Sequence, residues 1–239
     1  MSILSRFGIG SASIDLIPDQ TRVHPGGCVE AHLELSGGSS AQTVDDIEIA
    51  LVTRYRAQRE DDSYPTHYVL WETEFKQGFT VDPGVERSID VPDIEVPAET
   101  PVTVGGTEVW IQTGLDIDWA LDPSDEDQLD VRPSPALASI LEGMEELGFE
   151  LRSVSNEEVD LGHRSAPFLQ RFRFVPGASV DGTHRSVYLW PDPTETDQDM
   201  RVLLTRDELA AATAPASLAL DAESGTGTVG QLRRALDRL

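Results

Sequence analysis

Four runs in the first half of the chain place an apolar or β-prone side chain at every second residue. CVEAHLEL (28–35) puts Val29, Ala31, Leu33 and Leu35 on one face, and DIEIALVTRY (46–55) does the same with Ile47, Ile49, Leu51, Thr53 and Tyr55. WETEF (71–75) alternates Trp71, Thr73 and Phe75, and EVWIQT (108–113) alternates Val109, Ile111 and Thr113. Successive side chains of a strand point to opposite faces, so a period of two marks strands with one buried face, the habit of antiparallel sheets. HPGG (24–27), SGGSS (36–40), DPG (82–84) and TVGGTE (103–108) supply turns between the runs. Pro92, Pro97 and Pro101 cannot donate to a ladder, which puts VPDIEVPAETP at a sheet edge or in an extended connection. Short strands at this spacing predict a β-sandwich over residues 1–118.

The period then changes. Ser134 and Pro135 form an N-cap and first-position pair, and Leu137, Ile140, Leu141, Met144 and Leu147 recur at helical spacing up to a stop at Gly148. One amphipathic helix near 135–147 follows, its apolar stripe directed at a core. Strands resume with FELRSV (149–154), PFLQRFRFVP (167–176), SVYLW (186–190) and RVLLT (201–205), so the second half, 119–223, is again β, with that helix belonging to it or abutting it; the length allows one large β domain or two sandwich-sized ones. RDELAAATAP (206–215) reads as a short helix or a loop, and SGTGT (224–228) as a flexible linker. The end of the chain, within 224–239, sets Val229, Leu232, Leu236 and Leu239 on one helical face and Arg233, Arg234 and Arg238 elsewhere. This segment is net positive, three arginines against Asp237. So short a helix is marginal alone and must dock on its own chain or on a partner.

Charge sets the solvent. The 239 residues carry 43 Asp and Glu against 18 Lys and Arg, a net charge of -25, with Lys76 the single lysine and Asn156 the single asparagine. The acids are spread along nearly the whole chain, so self-repulsion is strong unless salt screens it; the Debye length is about 3 Å at 1 M. A halophile cytosol fits that distribution, with a basic partner surface as the rival explanation. No basic stripe exists to meet nucleic acid or an anionic membrane, and no run nears the ~20 apolar residues of a membrane span. MSILSRFGIG lacks the apolar core of a secretory signal. Cys28 stands alone, which excludes an internal disulfide and points to the cytoplasm; its strand setting predicts a small buried hydrophobe.

No motif for catalysis emerges. Residues 109–133 gather Asp116, Asp118, Asp122, Asp125, Glu126, Asp127 and Asp130. Asp122, Asp125 and Asp127 fall at positions 1, 4 and 6 of a hypothetical calcium loop, whereas an EF-hand needs acids at 1, 3 and 5, Gly at 6 and Glu at 12. His24, His32, His67, His163 and His184 show no paired metal-ligand spacing. GIGSAS (8–13) has Ser13 where a dinucleotide fingerprint has its last Gly, and neither a phosphate-binding loop nor a GxSxG elbow occurs. The expectation is a protein with no catalytic residue, no cofactor and no dedicated metal.

Several stretches resemble the sporulation-control protein family, whose members have an arrestin-like fold of two antiparallel β-sandwich domains. They are RVHPGGCVEAHLELSGG, AQTVDDIEIALVTRY, VPAETPVT and above all WIQTGLDIDWALDPSDEDQLDVRP, followed by a helix ending Leu147-Gly148-Phe149 and by Pro167-Phe168 with Gln170. The resemblance implies an interdomain hinge at Gly114, Asp116, Asp118, Asp122 and Pro123, with Gly114 free to take a positive φ. It also implies a non-catalytic regulator or adaptor that binds protein partners. Leu232, Arg233, Arg234, Leu236 and Arg238 are the candidate contact residues, and strand edges would allow homo-oligomers. The alternative is a protein binding a small ligand or a cation between its lobes. Arg171 and Arg173 depart from the acidic residues usual in the family's Pro-Phe strand, and pairing with acidic neighbours across the sheet would explain them. A halophile cytosol is an unlikely home for endospores, so the family name does not fix the process served here.

Overall fold

The computed structural model of the protein describes residues 12–59, 62–117, 124–159, 164–177, 186–193, 199–206, 217–221 and 225–239. Its first half contains β1 (Ser13–Pro18), β2 (Arg22–Val23), β3 (Cys28–Val29), β4 (Ala31–Ser36), β5 (Gln42–Arg59), β6 (Asp62–Val81), β7 (Glu86–Asp90), β8 (Ile94–Glu95) and β9 (Val109–Ile117). Then come β10 (Ser124–Gln128), β11 (Asp130–Val131), α1 (Pro135–Glu146), β12 (Phe149–Glu158), β13 (Phe168–Pro176), β14 (Val187–Pro193), β15 (Asp199–Thr205), β16 (Ser217–Asp221) and α2 (Gly225–Leu236). The fold is mainly β, as the alternation predicts.

Two facing sheets build the first half. One has the order β1-β4-β7; the other is part of a nine-stranded sheet ordered β10-β9-β5-β12-β13-β14-β15-β16, with β6 also paired to β5. Strand β5 unites the halves. Val44–Thr53 pair with β9, and three residues further on Arg56 meets Glu157 of β12 in parallel. Leu51, Val52 and Thr53 are buried in succession, as are their β9 partners Ile111, Trp110 and Val109, so both faces of the sheet are covered at this point. Strands β10 and β11 follow residue 118 and still pair with β9 and β2 of the first half.

Three expectations needed correcting here. CVEAHLEL is not one strand: Cys28 and Val29 pair with β8, while Ala31–Ser36 pair with β1 and β7, and the chain changes partners at Glu30. Cys28 is exposed, because in so short a strand the inward position goes to Val29. The supposed linker also differs: Gly225–Thr228 form the first turn of α2, with Thr228 buried, and tertiary packing overrides the low helix propensity of Gly and Thr.

The amphipathic helix forms where expected. Ser134 Oγ accepts the Leu137 N–H at 3.3 Å, Leu137, Ile140 and Met144 are buried, and Gly148 takes φ 84° as the chain leaves the helix. A single apolar core runs from Leu16 and Leu33 through Ile49 to Phe172, Leu204 and Leu232. A smaller cluster of Val159, Leu169, Tyr188, Trp190 and Leu203 lies apart from it in the second half.

Candidate functional site

The tail helix docks on its own chain. Leu232 is 0% exposed, and Ala235 and Leu236 are buried beside it. Gly143 of α1 permits the approach: a Cβ there would lie 2.8 Å from Leu232 Cδ1 and 3.5 Å from Val229 Cγ2. Burying Leu232 contributes about 1.5–3 kcal/mol. With the apolar face committed to α1, the other face is left to solvent, and Arg233, Arg234 and Arg238 are exposed on it. No ion pair joins any of the three to another described residue. Arg233 and Arg234 sit in the last turn, where cations complement the helix dipole.

The two halves meet in a polar joint. Gln170 accepts the Val102 N–H at 3.0 Å and donates to the Val102 carbonyl at 2.8 Å, saturating a backbone position that Pro101 leaves outside any ladder. Asn156 donates to the Arg54 carbonyl at 2.8 Å, and Thr53 Oγ1 donates to the Glu108 carbonyl at 2.8 Å. Arg164 pairs with Asp192 at 2.9 Å and Glu99 at 3.5 Å, with the Arg164 and Asp192 side chains only 7% and 3% exposed. Tyr55 stacks on Phe168, and the Tyr68 hydroxyl donates to the Ser165 carbonyl at 2.8 Å. Burial raises both tyrosine pKa values. At Gly105, which has φ +62°, a Cβ would come within 2.9 Å of Val154, so loop and strand touch backbone to side chain. Arg171 finds the expected acidic neighbour, Glu157 at 2.9 Å, and lies over Tyr188 and Trp190. Arg173 leaves its Nε without a partner. Hydrogen bonds, ion pairs and ring contacts hold the joint, and its chemistry is adhesive.

Sequence reasoning missed Glu99, Arg164 and Asp192, whose spacing carries no signal. Gln170 stood out through the family resemblance and Asn156 as the only asparagine, yet the partner of neither could be read.

The acid-rich stretch behaves differently from the hinge it resembled. Gly114 and Asp116 lie inside β9, which is paired with β5 on one side, and Gly114 also faces Ser124 of β10 on the other. Gly114 is not among the positive-φ glycines. Because β9 and β10 are adjacent antiparallel strands, the chain turns back into the same sheet, and passage to the second half comes after Val131. Asp118, Asp122 and Pro123 lie outside the described residues. Asp125, 6% exposed, accepts the Leu16 N–H at 2.9 Å through Oδ2. Asp130 bonds Arg22 and Arg132 at the surface.

Burial, then the Asp125 carboxylate and a hydrogen bond to it, pushes Asp127 up to about 7. Burial also raises Asp125, with the Leu16 N–H working against it. Among the described residues no three His, Cys, Asp or Glu side chains are arranged to hold a metal, and no helix is long and apolar enough to cross a membrane.

Comparison with known proteins bears on identity. The family described as SpoOM protein matches residues 1–209, which leaves β16 and α2 beyond the match. The sporulation-control protein spo0M of Bacillus subtilis is 34% identical over 169 residues, 71% of this chain and 65% of that one, so the chain spans just under two thirds of that relative. The crystal structure of Spo0M from the same organism superposes with a TM-score of 0.87 at 26% identity, covering 96% of this chain and 99% of that one. The chain belongs to the Spo0M family of sporulation-control proteins.

Proposed function

We propose that this protein is a non-catalytic regulator or adaptor of the high-salt cytoplasm, built from two arrestin-like lobes, that recognises a protein partner through the arginine face of α2. In this reading the first lobe covers 1–118, the second 119–223 and the tail 224–239, with β10 and β11 packed into the first lobe. The observation that carries it is the orientation of the tail. Leu232 and Leu236 are occupied by α1, whereas Arg233, Arg234 and Arg238 form an exposed basic strip on a chain of net charge -25. Such a strip attracts an acidic surface and repels a basic one. Family membership supports a regulatory role, and the single cysteine with the high net charge supports the salty, reducing cytoplasm. The rival expectation, a ligand or cation held between the lobes, meets a joint where Gln170, Asn156, Arg164 and Phe168 already have partners within the chain.

The test is affinity capture from native lysate at multimolar salt. Wild type is compared with the triple variant Arg233→Glu, Arg234→Glu, Arg238→Glu, after unfolding midpoints have shown both to be equally stable. A discrete partner held by the wild type and lost with the triple variant is the expected result. Equal capture by both would move the interface to the sandwich lobes, and the absence of any specific partner would overturn the adaptor reading.

A further inference from the structure

The corner where β10 meets β1 carries a buried acid, Asp125, and a half-buried one, Asp127, with no cation between them. Strand β10 is the edge of the nine-stranded sheet and β1 the edge of the three-stranded one, and the Leu16 N–H to Asp125 bond joins them. Asp127 lies two residues along β10, on the same face, with its carboxyl within hydrogen-bonding reach of Asp125. Its Oδ2 is buried and accepts no N–H or O–H. Neither acid forms an ion pair with another described residue.

A second and separate observation comes from the neighbouring strand. Thr113 stands directly opposite Asp125 in register, is 0% exposed, and its Oγ1 has no hydrogen-bond partner. Cross-strand partners share a face, so this hydroxyl is turned to the side from which Asp125 reaches β1. Asp15 of β1 adds negative potential, and Glu34 is opposite Asp15 on β4. The β9 residue opposite Asp127 is Ile111, which does not titrate.

Two carboxylates at this separation in a half-dry corner repel each other unless a proton or a metal ion stands between them. Two carboxylates and a hydroxyl are hard oxygen donors, the kind that Ca²⁺ and Mg²⁺ prefer. We propose that Asp125, Asp127 and Thr113 form a site for one divalent cation, Ca²⁺ or Mg²⁺, which ties β10 to β1 at the open edge of the first sandwich. Asp127 is the more exposed acid, and water reaching it completes the coordination shell. With only two charged ligands the affinity is weak, about 10⁻⁴–10⁻³ M. The cation and the shared proton compete for one place, so binding strengthens as pH rises and the proton leaves.

The experiment is a thermal unfolding series on the full chain with CaCl₂ or MgCl₂ up to about 10 mM, at constant ionic strength in KCl, at pH 8 and pH 5. Wild type is compared with Asp127→Asn and with Thr113→Val, which keeps the side-chain volume. The expected result is a saturable rise in midpoint for wild type at pH 8. Thr113→Val should bind severalfold more weakly, wild type at pH 5 at least tenfold more weakly, and Asp127→Asn should show no saturable rise. An equal response in wild type and Asp127→Asn would assign the effect to the general acidic surface and overturn the site. No response to either ion, with Asp127→Asn more stable than wild type at pH 8, would make the corner a proton-sharing pair only.

Discussion

Two buried sets of acids in one chain resolve the same problem in opposite ways. At the joint between the halves, Asp192 and Glu99 face Arg164, and Glu157 faces Arg171. At the corner of the first sandwich, Asp125 and Asp127 face each other. With 18 cationic residues against 43 acids, most carboxylates of the chain have no cation of their own. The arginines stand where two halves must be held together, and the corner is left to share a proton or recruit an ion. A matched pair is therefore sensitive to losing either partner, and an unmatched pair is sensitive to pH.

The sharpest way to break this contrast is at the joint. Asp192→Ala takes the 2.9 Å partner from an arginine side chain that is 7% exposed and leaves it Glu99 at 3.5 Å, and removing one partner of a buried pair costs about 3–5 kcal/mol. Urea unfolding at fixed high salt should show it, while replacing Arg164 and Asp192 together with apolar residues should recover much of the loss. Gln170→Met comes next. It keeps the volume but leaves the Val102 N–H unsatisfied, while the Val102 carbonyl keeps the Val104 N–H, for a loss of about 1–3 kcal/mol. A Met variant as stable as wild type would mean that water replaces the amide.

The smallest effect is the most diagnostic of the corner. Asp127 binds its proton more tightly folded than unfolded, so its contribution is fully present below the unfolded value of 3.8 and is lost as pH rises through about 7. Without divalent ions, wild type should lose stability between pH 4 and 8 relative to Asp127→Asn, and parallel curves would remove the raised pKa from the account. Measuring the difference between the two proteins cancels the repulsion of the remaining acids.

Much of the fold was legible because its signals are local. Ser134 and Pro135 open α1, Gly148 ends it, and the spacing of Leu232 and Leu236 defines the face that α2 buries. The alternation in β5 and β9 likewise predicted Ile47, Ile49, Ile111 and Thr113 as inward. What escaped was whatever depends on which strand lies alongside. SDEDQ has no apolar alternation, so nothing in it announces a strand, yet β9 provides a ladder and β10 forms. Two of its acids then turn inward because the pleat leaves them no choice. The strand pairing of Gly114 and Asp116 was hidden for the same reason: a turn-like composition cannot reveal that these residues lie in β9 alongside β5.

The sequence by itself determined the β class, the capped helix, the amphipathic tail and the strong excess of acids, since each follows from periodicity, capping chemistry or composition. Tertiary structure decided which lines of β5 faced which neighbour, that Cys28 points outward, that the tail covers α1, and that Asp125 and Asp127 share a corner. Those outcomes rest on pairings between residues tens of positions apart, and local pattern holds no information about distant partners.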